Sequence, residues 1–155
     1  MHGTMDNFQV VDYNSLNDIV QNLIKDAVEV RNRAYCPYSN FPVGAAILTE
    51  DHKVFAGCNI ENAAFSPSIC AERAAVCKAV SEGHRKFSTV AIVAHQKGFT
   101  APCGVCRQTL HEFCGSDGDV TIYLTKPTLD KVLYTKLSQL LPLAYISFTE
   151  DNITT

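Results

Sequence analysis

The amino-acid sequence predicts an α/β fold, a three-layer α-β-α sandwich built on a mixed five-stranded sheet. Two observations lead to this prediction. Helix-like and strand-like patterns follow one another in the order α-β-β-α-β-α-β-β, so strand-helix-strand units supply parallel neighbours and hairpins supply antiparallel ones. The segment 89–94 is almost continuously apolar, as expected for a strand that helices cover on both faces.

Periodicity and helix-ending residues define the elements in the first half of the chain. Apolar residues recur at helical spacing from Leu16 to Val28, and Asn14 or Ser15 is available as the N-cap. Because Pro37 disfavours helical geometry in the residue before it, this helix is expected to end near Tyr35. The strands 43–49 and 54–60 follow as a hairpin around a polar turn.

The second half supplies two more helices and the remaining strands. Helix 71–82 is apolar on most sides, which is typical of a buried helix, and Gly83 ends it. Helix 104–114 ends in the same way at Gly115. The last predicted elements are the strand 89–94, the alternating strand 120–124, the β-branched strand 131–137 and a short helical turn over 138–141.

Length and composition favour one domain of common size. The chain has 155 residues, of which 46% are hydrophobic and 19% charged, so we expect a single domain over 1–155 with peripheral tails at 1–12 and 150–155. A net charge of −3 without a Lys/Arg-rich run argues against a nucleic-acid partner and favours a small polar ligand. No apolar stretch approaches the roughly 20 residues that span a bilayer, so no membrane contact is expected. The N-terminus lacks a basic segment followed by an apolar one, and the expected localisation is cytoplasmic.

The seven cysteines are many for this length, and their odd number argues against a disulfide framework. Reduced thiols, some of them on a metal, are the better interpretation. Four cysteines have no partner at ligand spacing, and we expect them to be packed as small hydrophobic residues. These four are Cys36, Cys58, Cys77 and Cys114.

The remaining thiols have the spacing of a catalytic zinc site. Cys70 begins one predicted helix, and Cys103 and Cys106 lie three residues apart at the start of another, so the latter two share a face. Three protein ligands leave one tetrahedral position for water. A closed structural site would need a fourth ligand, for which the candidates are Cys77, Cys114, His95 and His111. None of them repeats the spacing of the Cys103–Cys106 pair.

Two charged residues beside Cys70 complete the predicted site. Glu72 follows a ligand by two residues on an otherwise apolar helix, where a carboxyl group can move protons to and from zinc-bound water. The alternative is that Glu72 only favours the helix dipole. Zinc with three thiolates has a formal charge of −1, and Arg73 is expected to compensate it by hydrogen-bonding the ligand sulfurs. The alternative for Arg73 is an ordinary surface arginine.

The zinc motif and two further segments resemble the zinc-dependent cytidine deaminases of the small, homotetrameric type that act on free nucleosides. The similar segments are Tyr38–Ala46, Asn59–Ala63, Cys70–Arg73 and Pro102–Gln108, within a resemblance that covers roughly 34–142. The resemblance implies one Zn²⁺ per subunit and hydrolytic deamination of cytidine and 2′-deoxycytidine in pyrimidine salvage. It also implies a homotetramer whose neighbouring subunits complete each pocket.

Substrate-binding residues are assigned only through this resemblance. Asn59 and Glu61 match the pair that binds the ribose, and Phe41 matches the aromatic residue that packs on the pyrimidine, its alternative being a core phenylalanine. Ala63 falls where the family's backbone contacts the base. Tyr145 has the spacing of a C-terminal aromatic that reaches the substrate, although Phe148 is a second candidate.

The chain departs from the family pattern at two positions, and other functions compete. Ala101 replaces a common serine and Phe65 a common tyrosine, which removes a hydroxyl at each place. The main competitor is a deaminase of a nucleoside-like antibiotic such as blasticidin S, against which the run from Asn59 to Asn62 argues. Deamination of nucleic acid is disfavoured by the acidic charge balance. A zinc-stabilised interaction module without catalysis is disfavoured by Glu72 and by the open ligand position.

Overall fold

The computed structural model describes residues 8–146, which form one mixed sheet with helices on both faces. The elements are β1 (Gln9–Asp12), a 3-10 turn (Tyr13–Ser15), α1 (Asp18–Arg31), β2 (Val43–Thr49), β3 (Val54–Cys58), α2 (Ala71–Ser81), β4 (Phe87–Ala94), α3 (Gly104–His111), β5 (Thr121–Thr125), β6 (Lys131–Lys136) and α4 (Leu137–Leu140). The strand order is β1-β6-β5-β4-β2-β3. Strands β4 and β5 are parallel, and the other neighbouring strands are antiparallel. The predicted α/β sandwich is confirmed.

The sheet has six strands rather than the expected five. Residues 9–12, expected to belong to a peripheral tail, instead form β1 and pair antiparallel with β6, from Gln9 opposite Tyr134 to Asp12 opposite Lys131. The partner strand is distant in sequence, and β1 buries almost no side chain. No local sequence pattern therefore predicts β1. The rest of both expected tails, 1–7 and 150–155, lies outside the described residues.

Strand β4 confirms the prediction of a strand buried on both sides. Val90 and Ile92 belong to the core beneath α2 and α3, whereas Ala91 and Val93 belong to the core beneath α1. Successive side chains of a strand point to opposite faces, so a strand covered twice must be apolar at every position. The side chains of this central strand therefore contribute to the core on each face of the sheet, and the helices that carry the candidate site lie on one of these faces.

Helix α1 begins and ends at different residues from those predicted. Asn17 is its N-cap, with Oδ1 accepting a hydrogen bond of 3.0 Å from the Val20 amide, so neither Asn14 nor Ser15 caps it. Ser15 donates instead to the Asp12 carbonyl oxygen at 2.6 Å within the preceding 3-10 turn. The helix ends at Arg31 rather than near Tyr35.

No helix within residues 8–146 has the length and apolarity needed to cross a membrane.

The seven cysteines, all within the described residues, are free thiols, as predicted. The expectation that the four unassigned ones are packed is wrong for Cys77, which is exposed on α2 beside the exposed Lys78. Cys36, Cys58 and Cys114 are partly buried. The thiol of Cys77 therefore offers a solvent-accessible sulfur on the same helix as the candidate site but outside it.

Replacing Gly57 by alanine is expected to destabilise the fold. A Cβ at Gly57 in β3 would lie 2.4 Å from the Ala75 nitrogen and 2.8 Å from the Ala71 carbonyl oxygen, both in the backbone of α2. Because backbone atoms cannot move aside as a side chain can, α2 must shift, and we expect a loss of about 2 kcal/mol or more in the free energy of unfolding. Chemical denaturation measures this loss.

Gly98→Ala is the matched control, because a Cβ at Gly98 meets nothing within 4 Å. Its free energy of unfolding should change by less than about 0.5 kcal/mol. Equal stability of the two variants would contradict the close packing of β3 against α2.

Candidate active site

The candidate site lies where the first turns of α2 and α3 meet. Cys70 is the N-cap of α2, Cys103 is the N-cap of α3, and Cys106 lies in the first turn of α3. Both helices pack on the same face of the sheet through Ala71, Ala75 and Leu110. Their amino-terminal ends place partial positive charge beside the sulfurs, which favours thiolates.

The three sulfurs form a compact cluster, as the sequence predicted. All three lie within 4.8 Å of one another. The Sγ atoms of Cys70 and Cys103 are 3.9 Å apart, and those of Cys103 and Cys106 are 3.5 Å apart. Tetrahedral bonds of about 2.3 Å from zinc to sulfur require separations of about 3.8 Å between sulfurs. The residues therefore fit a zinc ion in both donor type and spacing.

No fourth side-chain ligand joins this cluster within the part of the chain that the structure describes. The group of potential metal ligands there consists of the three cysteines alone. The candidates for closing the site were Cys77, Cys114, His95 and His111, and none belongs to the group. Glu72, which neighbours the cluster, does not belong to it either. The arrangement favours a catalytic over a closed structural site.

Electrostatics within the cluster require a cation if all three sulfurs are to be ionised. The Cys106 thiol and the Arg73 guanidinium lower the pKa of Cys70 to about 5, against the opposing effect of burial. The pKa of Cys106 is raised, because the Cys70 sulfur holds its proton and because the group is buried. Three thiolates at these separations repel one another, and a bound cation that displaces their protons removes that repulsion.

Arg73 lies beside the cluster rather than on the open surface. Its Nη2 is 3.8 Å from the Cys70 sulfur and donates to the Ser68 carbonyl oxygen at 3.2 Å. Its Nε is buried and has no hydrogen-bond partner among residues 8–146. The geometry agrees with the predicted compensation of thiolate charge and not with an ordinary surface arginine.

Glu72 is buried, with 5% of its surface exposed, in the first turn of α2. Burial raises the pKa of its carboxyl group, and the nearby Cys70 sulfur adds to that effect, while its own backbone amide opposes it. A glutamate that served only the helix dipole would gain more from a solvated position. Its burial beside the sulfurs therefore points to a chemical role.

A cavity of about 270 Å³ joins Glu72 and two of the cysteines to three of the predicted substrate residues. Its wall is mostly apolar with a few polar groups, which is typical of a small-molecule site. The lining residues that the sequence singled out are Phe41, Asn59, Glu61, Cys70, Glu72, Ala101 and Cys103. Ala101 thus lies on the cavity wall, where it brings no hydroxyl group.

Asn59 and Glu61 also shape the loop that carries Phe41. The Asn59 carboxamide accepts from the Val43 amide at 2.8 Å and donates to the Phe41 carbonyl oxygen at 3.0 Å. Glu61 accepts from the Tyr38 amide at 2.9 Å, and its hydrogen bonds lower the pKa of its carboxyl group, the largest effect coming from the Ser39 hydroxyl. Both side chains retain capacity for one more partner in the cavity.

Sequence analysis missed two polar residues of the cavity wall. Ser39 donates to Glu61 through its hydroxyl group, and the same oxygen accepts from the Phe41 amide at 3.1 Å. Thr100 lines the cavity, and its buried hydroxyl has no partner within residues 8–146. Ser39 lies inside a segment that the sequence had already singled out, but its link to Glu61 spans 22 residues. No sequence signal marked Thr100.

The structure does not bring Ala63 or Tyr145 to this cavity. Neither residue lines it, and both are exposed, Tyr145 with 81% of its surface accessible. Phe65, at the other departure from the family pattern, is 73% exposed in the left-handed region with φ of 51°. Phe148, the second C-terminal candidate, lies outside the described residues.

Comparisons with known proteins agree with this geometry. The sequence profile of the "Cytidine and deoxycytidylate deaminase zinc-binding region" matches residues 18–123. The cytidine deaminase of Sporosarcina psychrophila is 48% identical over 126 residues, which cover 81% of this chain and 90% of that protein. The crystal structure of cytidine deaminase from Burkholderia pseudomallei has a TM-score of 0.75 at 42% identity, over 84% of this chain and 100% of that chain. Blasticidin-S deaminase of Bacillus cereus is 31% identical over 111 residues, 66% of this chain and 76% of that protein.

Proposed function

The chain belongs to the cytidine and deoxycytidylate deaminase family, and we propose that Cys70, Cys103 and Cys106 hold its zinc ion while Glu72 moves the protons. The protein is a zinc-dependent hydrolase that converts cytidine and 2′-deoxycytidine to uridine and 2′-deoxyuridine with release of ammonia. One observation supports the residue assignment above all: Glu72 and two of the three clustered cysteines, Cys70 and Cys103, line a single cavity.

In this mechanism Glu72 moves the protons. Cys70, Cys103 and Cys106 would hold the zinc ion, which would supply Lewis acidity and lower the pKa of a water molecule toward ~7. Glu72 accepts a proton from the attacking water and delivers it to ring nitrogen N3, which makes the amine-bearing carbon C4 more electrophilic. As the water oxygen bonds to C4, Glu72 accepts the second proton of that oxygen and transfers it to the amino group. The bond between C4 and the amino nitrogen then breaks, ammonia leaves, and the oxygen stays as the carbonyl oxygen of the product. Arg73 offsets the negative charge of the thiolates through Cys70.

Substrate binding uses the opposite wall of the cavity. The carboxamide of Asn59 and the carboxylate of Glu61 together donate to and accept from ribose hydroxyl groups, chiefly the 3′-hydroxyl, so both ribose and deoxyribose fit. The Phe41 ring packs on the pyrimidine. Ser39 holds Glu61 and the Phe41 backbone in one arrangement, because its hydroxyl group contacts both.

The active form is a homotetramer whose subunits complete one another's cavities. Two residues assigned to substrate binding, Ala63 and Tyr145, are exposed and do not line the cavity of their own chain, which supports a contact with another copy. The whole chain acts as one catalytic domain. Its place is pyrimidine salvage in the cytoplasm, where reduced thiols remain available for zinc.

The purified protein is expected to deaminate cytidine and 2′-deoxycytidine. The decrease in cytidine absorbance after the protein is added measures this reaction. Blasticidin S should be turned over with a kcat/KM at least about a hundredfold lower, because a site that hydrogen-bonds ribose hydroxyl groups discriminates against ligands lacking them. The Glu72→Gln protein serves as the blank. Faster turnover of blasticidin S than of cytidine would favour the antibiotic deaminase instead.

A further inference from the structure

Gln108 on α3 is paired with the backbone of Tyr145, 37 residues away. Its Nε2 donates to the Tyr145 carbonyl oxygen at 2.9 Å, and its Oε1 accepts from the Tyr145 amide at 2.9 Å. A carboxamide can bind the N–H and C=O of one residue together, in the way that a neighbouring strand does. The two bonds therefore fix both the position and the orientation of the Tyr145 backbone.

Arg107, the preceding residue of α3, holds the other end of the same segment. Its Nη1 donates to the Leu140 carbonyl oxygen at 2.7 Å. Its Nε donates to the Pro102 carbonyl oxygen at 2.8 Å, directly before the zinc ligand Cys103. Two consecutive side chains thus tie segment 140–145 to the helix that carries two of the zinc ligands.

Apolar burial does little to hold the far end of this segment. Leu143 is 83% exposed and Tyr145 is 81% exposed, so neither side chain anchors it in the core. The position of Tyr145 consequently depends on the polar contacts with Gln108. Tyr145 lines no part of the cavity of its own chain.

We propose that Gln108 is a positioning residue, which sets the Tyr145 backbone so that the ring reaches the substrate cavity of a second copy of this chain. This inference rests on the proposed function, in which Tyr145 contacts substrate in the assembled protein. Gln108 acts through Tyr145 on substrate binding, and it takes no part in proton transfer or zinc binding.

A double-mutant cycle on the assembled zinc protein tests the proposal. Gln108→Ala and Tyr145→Ala are each expected to raise KM for cytidine by about five- to tenfold, with kcat changed less than about twofold. The double variant should have the KM of the more impaired single variant, because both changes remove the same contact. Zinc content should stay at that of the unmodified protein.

Two further variants on α3 sharpen this test. Gln108→Glu keeps an acceptor for the Tyr145 amide but turns an oxygen toward the Tyr145 carbonyl, so it should raise KM as much as Gln108→Ala does. Thr109→Ala removes a hydroxyl group that donates only to the Val105 carbonyl oxygen of the same helix, at 2.8 Å. It is expected to leave KM unchanged.

Hydrogen exchange supplies a readout that is independent of activity. Amides of segment 141–146 should exchange at least about fivefold faster in Gln108→Ala, since the Tyr145 amide loses its acceptor. The proposal would be overturned by unchanged exchange in Gln108→Ala or by loss of its zinc. It would also be overturned if the KM effects of the two single variants multiplied in the double variant, or if Gln108→Ala raised KM and Tyr145→Ala did not. Failure of the proposed function looks different, because the unmodified protein would then not deaminate cytidine at all.

Discussion

Replacing Glu72 by glutamine is expected to lower kcat for cytidine by about three to four orders of magnitude while zinc stays bound. The amide has nearly the shape of the carboxyl group, so the cavity is preserved, but it cannot accept and return a proton. Folding should survive, because burial already disfavours the charged form of Glu72 and the amide removes that cost. Steady-state kinetics and metal analysis of one preparation measure both quantities.

Glu82→Gln is the matched control for this substitution. Glu82 is exposed at the C-terminal end of the same helix, far from the cluster at its N-terminal end. The control should keep the kcat and zinc content of the unmodified protein. Activity of the Glu72 variant within tenfold of the unmodified protein would refute the assignment of Glu72 as the proton-transfer group.

Local sequence patterns were sufficient to predict the metal cluster. Cys103 and Cys106 are three residues apart at a helix start, so helical geometry alone brings them together. Cys70 required one further step, namely that two helices starting above the same face of the sheet meet at their N-terminal ends. The apolar run 90–94 of β4 predicted helices on both faces of the sheet, and because α2 and α3 each follow a strand, their starts can meet at one edge of it.

Contacts between distant segments account for what sequence patterns did not predict. Strand β1 exists because β6 pairs with it, and its own four residues bury almost nothing. The cap of α1 depended on which of several neighbouring polar residues had the right backbone geometry, and Asn17 did. The link between Ser39 and Glu61 joins two loops and follows no periodicity.

The exposure of Tyr145 illustrates a further limit of sequence analysis. The resemblance selects Tyr145 by its spacing, with Phe148 as a second candidate, and spacing does not say which copy of the chain supplies the cavity. The 81% exposure of Tyr145 and its absence from the cavity lining of its own chain support the proposed contact with another copy. A contact between copies was therefore indicated only by the family resemblance and not by any pattern within the chain.

Replacing Cys103 by alanine is expected to remove the metal and, with it, the activity. Two thiolates remain, and zinc sites in proteins use at least three protein ligands, so zinc content should fall from one equivalent per chain to below about one tenth. The Cys103 side chain is exposed, so its removal leaves the core intact and the effect is on the metal rather than on packing. Atomic absorption of the dialysed protein measures zinc content, and deamination of cytidine should fall below detection.

Cys77→Ala provides the comparison that separates ligand loss from loss of a thiol. Cys77 is an exposed cysteine on α2 whose sulfur does not belong to the cluster. Its replacement removes one thiol, as Cys103→Ala does, but leaves the three clustered sulfurs in place. Zinc content and kcat should be unchanged in this variant. Chelation of the unmodified protein should abolish activity, and added zinc should restore it there but not in Cys103→Ala, because restoration needs all three sulfurs. A full equivalent of zinc retained by Cys103→Ala would show that the ion is held elsewhere. The proposed open ligand position beside Glu72 would then have no role in catalysis.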